Sequence, residues 1–178
     1  MEKYNWSLEK IYKNVDEARA EIKLCDEFIE KIVKEEKSVK NLKNIMELSE
    51  KASRLVEKLY TYSYMKRDED SRVPEAQKLA LEVTSLGSRF GSATAFFDPF
   101  LMSLSDEELE NFYKEGDNEK YRIHFENILR LKPHTLSADE EKLLANCSEM
   151  ERTGQNSFYM LSYADMDYGN VESKGGEK

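Results

Sequence analysis

The stretch Val15-Asp16-Glu17-Ala18-Arg19-Ala20-Glu21-Ile22-Lys23-Leu24-Cys25-Asp26-Glu27-Phe28-Ile29-Glu30-Lys31-Ile32 decides the fold. Its apolar positions Val15, Ala18, Ile22, Cys25, Ile29 and Ile32 recur in steps of three and four. At about 3.6 residues per turn all of them fall on one stripe of a helix, whereas a strand would need strict alternation. Asn14, with Glu17 three residues later, has the chemistry of an N-terminal cap. Ahead of it, Trp6, Leu8, Ile11 and Tyr12 form an apolar leader, and the large ring of Trp6 is expected to pin that leader onto the bundle.

The same spacing continues downstream. Ile45, Leu48, Ala52, Leu55, Leu59 and Tyr62 predict a second helix from about Asn41 to about Arg67, with Tyr60 and Tyr64 on one side and Tyr62 on another. Pro74 suits the first turn of a third helix, where its missing N–H costs nothing. Leu79, Val83, Leu86, Phe90, Phe97 and Leu101 carry its stripe, and Asp98-Pro99 should kink or interrupt it. Gly87 and Gly91 lie one turn apart inside this helix, and close approach of a neighbouring helix would explain their presence. Ser105-Asp106-Glu107-Glu108 is a capping box that opens a short helix through Leu109, Phe112 and Tyr113, ended by Gly116. Tyr121, Phe125, Ile128 and Leu129 predict another helix before Pro133. Ser137 and Glu140 form a second capping box, before Leu143, Leu144 and Met150. No segment reads as a strand, and no repeat is visible. The expected fold is all-α: an antiparallel bundle of about five to six helices over residues 1–168, followed by a flexible tail over 169–178.

Composition excludes several classes of function. The 178 residues are 35% charged with a formal net charge of -9, which argues against nucleic-acid or anionic-membrane partners, because phosphate binding needs a basic face. No apolar run approaches the roughly 20 residues of a membrane span. Met1-Glu2-Lys3-Tyr4 opens directly into polar sequence without the pattern of a signal peptide, so the cytoplasm is the expected location. Cys25 and Cys147 are too few and too far apart to be a disulfide framework, and Cys25 on an apolar stripe reads as a buried free thiol.

The chemistry-bearing residues do not form a reaction centre. A zinc protease helix needs two histidines one turn apart and a glutamate beside the first. This chain has only His124 and His134, ten residues apart with Pro133 between them; His124 is expected on a helix surface and His134 in a turn. Ser88 and Ser92 lie within a helix and outside any nucleophile elbow, and Gly87-Ser88-Arg89-Phe90-Gly91-Ser92 lacks the lysine of a phosphate loop. The acid runs Glu35-Glu36 and Glu107-Glu108 read as solvated helix faces. No catalytic and no metal-binding residue is assigned. Phe96, Phe97, Tyr60, Tyr62, Tyr64, Tyr159 and Tyr163 could line a peptide groove, with core packing as the simpler reading.

Four pieces carry a family resemblance. Trp6-Ser7-Leu8-Glu9-Lys10-Ile11-Tyr12 at the start and Leu59-Tyr60-Thr61-Tyr62 in the middle are similar to helices of the oligoendopeptidase F family. Arg130-Leu131-Lys132-Pro133-His134-Thr135-Leu136-Ser137, with Glu140-Glu141 and Leu143-Leu144, resembles it most. Tyr163-Ala164-Asp165-Met166-Asp167-Tyr168 looks like the short segment that closes its helical region. The family's members are zinc metallopeptidases that act on short peptides. The resemblance implies that these helices wall a deep channel whose other side is the zinc-bearing domain. The His-Glu-Xaa-Xaa-His element and the third zinc ligand are missing, so no catalytic residue carries over and the chain alone should be inactive. It reads as a fragment or a naturally truncated product, whose partners would be the C-terminal catalytic domain and, in the parent, short peptides. The alternative is a free-standing helical module that associates with other proteins or with itself as a homodimer. An autonomous metallohydrolase is a third reading.

Overall fold

The computed structural model describes residues 6–70 and 73–136, together with 140, 153, 154, 157, 158, 161, 162, 166 and 169. Helices make up its regular structure, and there is no strand among the described residues. The chain divides into a unit of Met1–Lys132 and a unit of Pro133–Lys178. The first unit holds α1 (Val15–Lys34), α2 (Val39–Glu69), α3 (Pro74–Thr94), α4 (Phe97–Ser103), α5 (Asp106–Lys114) and α6 (Arg122–Leu129).

Helix α1 forms as its pattern requires. Asn14 caps it by accepting the Glu17 N–H at 2.9 Å, and Glu17 reaches back to accept the Lys13 N–H at 2.7 Å. Lys31 and Lys34 in the last turn face the negative end of the helix dipole. Ala18, Cys25, Ile29 and Ile32 are buried, as the stripe predicts. Cross-helix pairs give the direction of packing. Glu21 meets Lys58 and Cys25 meets Ala52, so rising numbers in α1 meet falling numbers in α2, and the two are antiparallel. Arg19 pairs with Glu75 and Glu82, and Asp26 with Arg89, so α3 runs parallel to α1. The three long helices pack pairwise around Leu59, Leu79, Val83 and Leu86. Each fully buried aliphatic side chain there contributes about 1.5–3 kcal/mol.

A second core lies toward the start of α2. Leu42, Leu101, Leu109, Phe112, Tyr113, Tyr121 and Phe125 close around one another, with the Phe125 and Phe112 rings stacked at 5.7 Å. The capping box at Ser105 is present: its hydroxyl accepts the Glu108 N–H, and the Glu108 carboxylate accepts the Ser105 N–H at 2.9 Å. Gly116 has φ +57, the left-handed conformation that glycine adopts without strain after a helix end.

Two expectations are corrected. Trp6 is 51% exposed; the leader is pinned instead by Leu8 and Tyr12, at 5% and 1%. The Trp6 backbone N–H does reach the Glu69 carboxylate, at 3.1 Å. Gly87 and Gly91 are not sites of close helix approach, because a Cβ at either position would meet nothing within 4 Å. The third helix is interrupted by Asp98-Pro99, as its sequence suggests, with the break itself at Ala95–Phe96. Pro99 has no N–H to give the Ala95 carbonyl, so the helix stops and restarts at Phe97, with Pro99 in a first turn where no donor is needed. Ser137 of the second capping box and Leu143, Leu144, Met150, Cys147, Tyr159 and Tyr163 lie outside the described residues, as does the tail beyond Gly169.

Candidate functional site

The interruption between α3 and α4 opens a hollow on the flank of α2. Helix α2 supplies Met46, Ser49, Glu50, Ser53, Arg54 and Glu57, which recur in steps of three and one and so occupy a single face beside its core stripe. Phe90, Thr94 and Ala95 at the end of α3, then Phe97 and Asp98 at the start of α4, form the opposite wall. His124 of α6 closes one end. The hollow encloses about 620 Å³, within the range of ordinary small-molecule and peptide sites. A shallower hollow of about 480 Å³ continues past His124 and shares Met46 and Glu50 with it, adding Lys120 and Tyr121.

Its interior is apolar and its rim is acidic. Phe97 stacks on the His124 ring with centroids 6.4 Å apart and planes 24° off parallel, and it also packs against the buried Phe125 at 5.9 Å and edge to face on Phe96 at 6.4 Å. Glu50 is held by Arg54 at 2.6 Å, one helical turn away. Glu57 accepts a weak hydrogen bond from Ser53 at 3.5 Å, and neither Glu57 nor Asp98 has a cationic partner among the described residues. The Ser49 hydroxyl is buried and likewise finds no partner among them. No serine or carboxylate hydrogen-bonds to His124 among the described residues, so the hollow has the parts of a binding surface and lacks a paired nucleophile and base.

The other candidates separate. His124 sits exposed on α6 in the first unit, and His134 ends a 3-10 turn, Lys132–His134, that leads into the second. No group of three or more His, Cys, Asp or Glu that could hold a metal exists among the described residues, so this donor set does not fit a catalytic zinc. Cys25 is a buried thiol whose Sγ donates to the Ala52 carbonyl at 3.6 Å, and burial pushes its pKa up to about 11. Of the described aromatic residues proposed for a groove, only Phe97 lines this one. Tyr62 is buried in the first core, and Tyr60 and Tyr64 stack on each other at 4.0 Å beside the Arg67 guanidinium. No helix is long and apolar enough to cross a membrane among the described residues.

Comparison with known proteins matches residues 101–168 to a family described as Oligopeptidase F. The chain is 37% identical over 142 residues to group B oligopeptidase PepB of Streptococcus agalactiae, a match covering 79% of the chain and 24% of that protein. It is 31% identical to the plasmid oligoendopeptidase F of Lactococcus lactis subsp. cremoris, over 99% of the chain and 30% of that protein. The crystal structure of oligoendopeptidase-F from Enterococcus faecium superposes with a TM-score of 0.68 at 27% identity, covering 92% of the chain and 33% of the other. A putative peptidase from Chlamydophila abortus shares the fold, with a TM-score of 0.68. The chain thus spans between a quarter and a third of the length of the relatives it matches. It belongs to the oligoendopeptidase F family and corresponds to the N-terminal region of that family.

Proposed function

We propose that this chain is the non-catalytic helical wall of a peptide channel in an oligoendopeptidase F-like zinc metallopeptidase, one that hydrolyses short peptides. The observation that carries the reading is the near-complete coverage of the chain, 99%, by 30% of a full-length oligoendopeptidase F. The chemistry of the chain agrees. It has two histidines, on separate elements, and the described residues hold no group of three or more donors, which fits a metal whose ligands belong to the remainder of such an enzyme. What this region supplies is shape: a rigid three-helix surface that confines an extended peptide and keeps folded proteins out. Its partner is the catalytic domain, and its compartment the cytoplasm.

Metal analysis and peptide turnover by the purified chain test the non-catalytic part of this reading. Substoichiometric zinc and no chelator-sensitive hydrolysis are expected. Tight stoichiometric zinc with hydrolysis abolished by a chelator would overturn it.

A further inference from the structure

The geometry points to the hollow between α2, the α3–α4 interruption and His124 as a binding site for a short cationic peptide: an apolar side chain on Phe90 and Phe97, and an ammonium or guanidinium group at Glu57 and Asp98. The inference rests on the reading of this chain as a channel wall, and it adds which peptides that wall favours. Met46, Phe90, Ala95 and Phe97 offer an apolar floor beside about 620 Å³ of space. Of the three carboxylates at its rim, Arg54 compensates only Glu50. The lysine of the adjoining hollow, Lys120, is occupied by Asp117 at 2.8 Å. Among the described residues Glu57 and Asp98 are therefore left without counter-charge, on a chain whose net charge is -9. A desolvating apolar floor beside unpaired carboxylates selects a ligand with both an apolar body and a positive charge. A second copy of the chain is a poor occupant, because it would bring more negative charge to this rim.

The test is fluorescence anisotropy of the purified chain with two labelled hexapeptides, one of alternating lysine and leucine, the other of alternating glutamate and leucine. Saturable binding of the lysine peptide that weakens with salt is expected, with no binding of the glutamate peptide. The double variant Glu57→Gln/Asp98→Asn should weaken binding about tenfold, from about three- to fivefold per exposed ion pair. Both positions are exposed, so an unchanged melting temperature accompanies that loss. The control Glu27→Gln/Glu30→Gln makes the same change of net charge on α1 and should leave binding intact. Ser53→Lys, which places a cation in the hollow, should abolish it. Equal affinity for both peptides overturns the inference, and so does equal weakening by the control pair. A dimer in sedimentation that the Ser53→Lys variant disrupts would also overturn it, by showing a second copy in the hollow. Failure here leaves the metal and turnover results above untouched, so the two readings fail separately.

Discussion

The rings of Tyr12 and Tyr62 meet edge to face, with centroids 5.1 Å apart, where the leader ahead of α1 crosses the far end of α2. Both are almost wholly buried. The Tyr12 hydroxyl donates to Glu21, Glu21 is held by Lys58 at 2.9 Å, and the Lys58 ammonium lies 4.0 Å from the centre of the Tyr12 ring. Burial, and then the Glu21 acceptor, push the Tyr12 pKa well above the ordinary phenol value. One ring thus ties the leader, α1 and α2 together. Tyr12→Ala should cost about 3–5 kcal/mol of stability, the range for losing a large core aromatic. Trp6→Ala should cost under about 1 kcal/mol, as for an exposed position. Urea unfolding of both variants checks the contrast, and equal losses would contradict it.

Cys25 gives a pH-dependent stability whose sign follows from its burial. Its thiol pKa is raised to about 11 in the folded chain because burial disfavours the thiolate. Between the unfolded value, about 8.5, and that folded value, the unfolded chain has lost the proton and the folded chain keeps it. The contribution is full below about pH 8.5 and is lost at about 1.4 kcal/mol per unit as pH rises through that window. In a Cys147→Ser background, adding Cys25→Ala should remove this part of the alkaline slope. The same background should also react with a thiol reagent only as fast as it unfolds.

Ser105→Ala should lower stability by about 1 kcal/mol, the usual cost of losing an N-cap hydroxyl. The Glu108 carboxyl sits below its ordinary value because the Ser105 backbone N–H, and then the Ser105 hydroxyl, bond to its charged form. A depressed carboxyl pKa means stability that is present above about pH 4.3 and fades as pH falls through the folded value. Glu108→Gln should therefore differ most from the parent chain near neutrality and least in acid. Thermal melts between pH 7 and the acid limit read this directly.

Gly91→Ala and Gly87→Ala should each stabilise the chain by up to about 1 kcal/mol. Each adds a helix-favouring residue where a Cβ meets nothing within 4 Å. Loss of stability in either variant would restore the close-approach reading.

Helix positions and caps were legible because they depend on local chemistry. Asn14 and Ser105 act as caps, and Ala18, Ile45, Leu59 and Leu86 are buried where a repeat of about 3.6 places them. Errors arose where tertiary context overrides local preference. Trp6 has the larger ring, yet Tyr12 is the one with a buried partner and an acceptor for its hydroxyl. Gly87 and Gly91 mimic a packing motif, and no neighbour among the described residues lies within 4 Å of a Cβ at either position. The hollow was least visible of all. Its lining comes from separated stretches around Met46–Glu57, Phe90–Asp98 and His124, and no periodicity links them. The one local hint was Asp98-Pro99, which signalled the break in the helix that forms one wall.

The most direct measurement mixes the purified chain with the C-terminal remainder of a full-length relative, such as the plasmid oligoendopeptidase F of Lactococcus lactis, and follows cleavage of a quenched fluorescent short peptide. Neither part alone should turn the peptide over, and the mixture should do so while sparing a folded protein substrate. A remainder that cleaves just as fast without this chain, or a chain that cleaves on its own, would contradict its role as the non-catalytic wall.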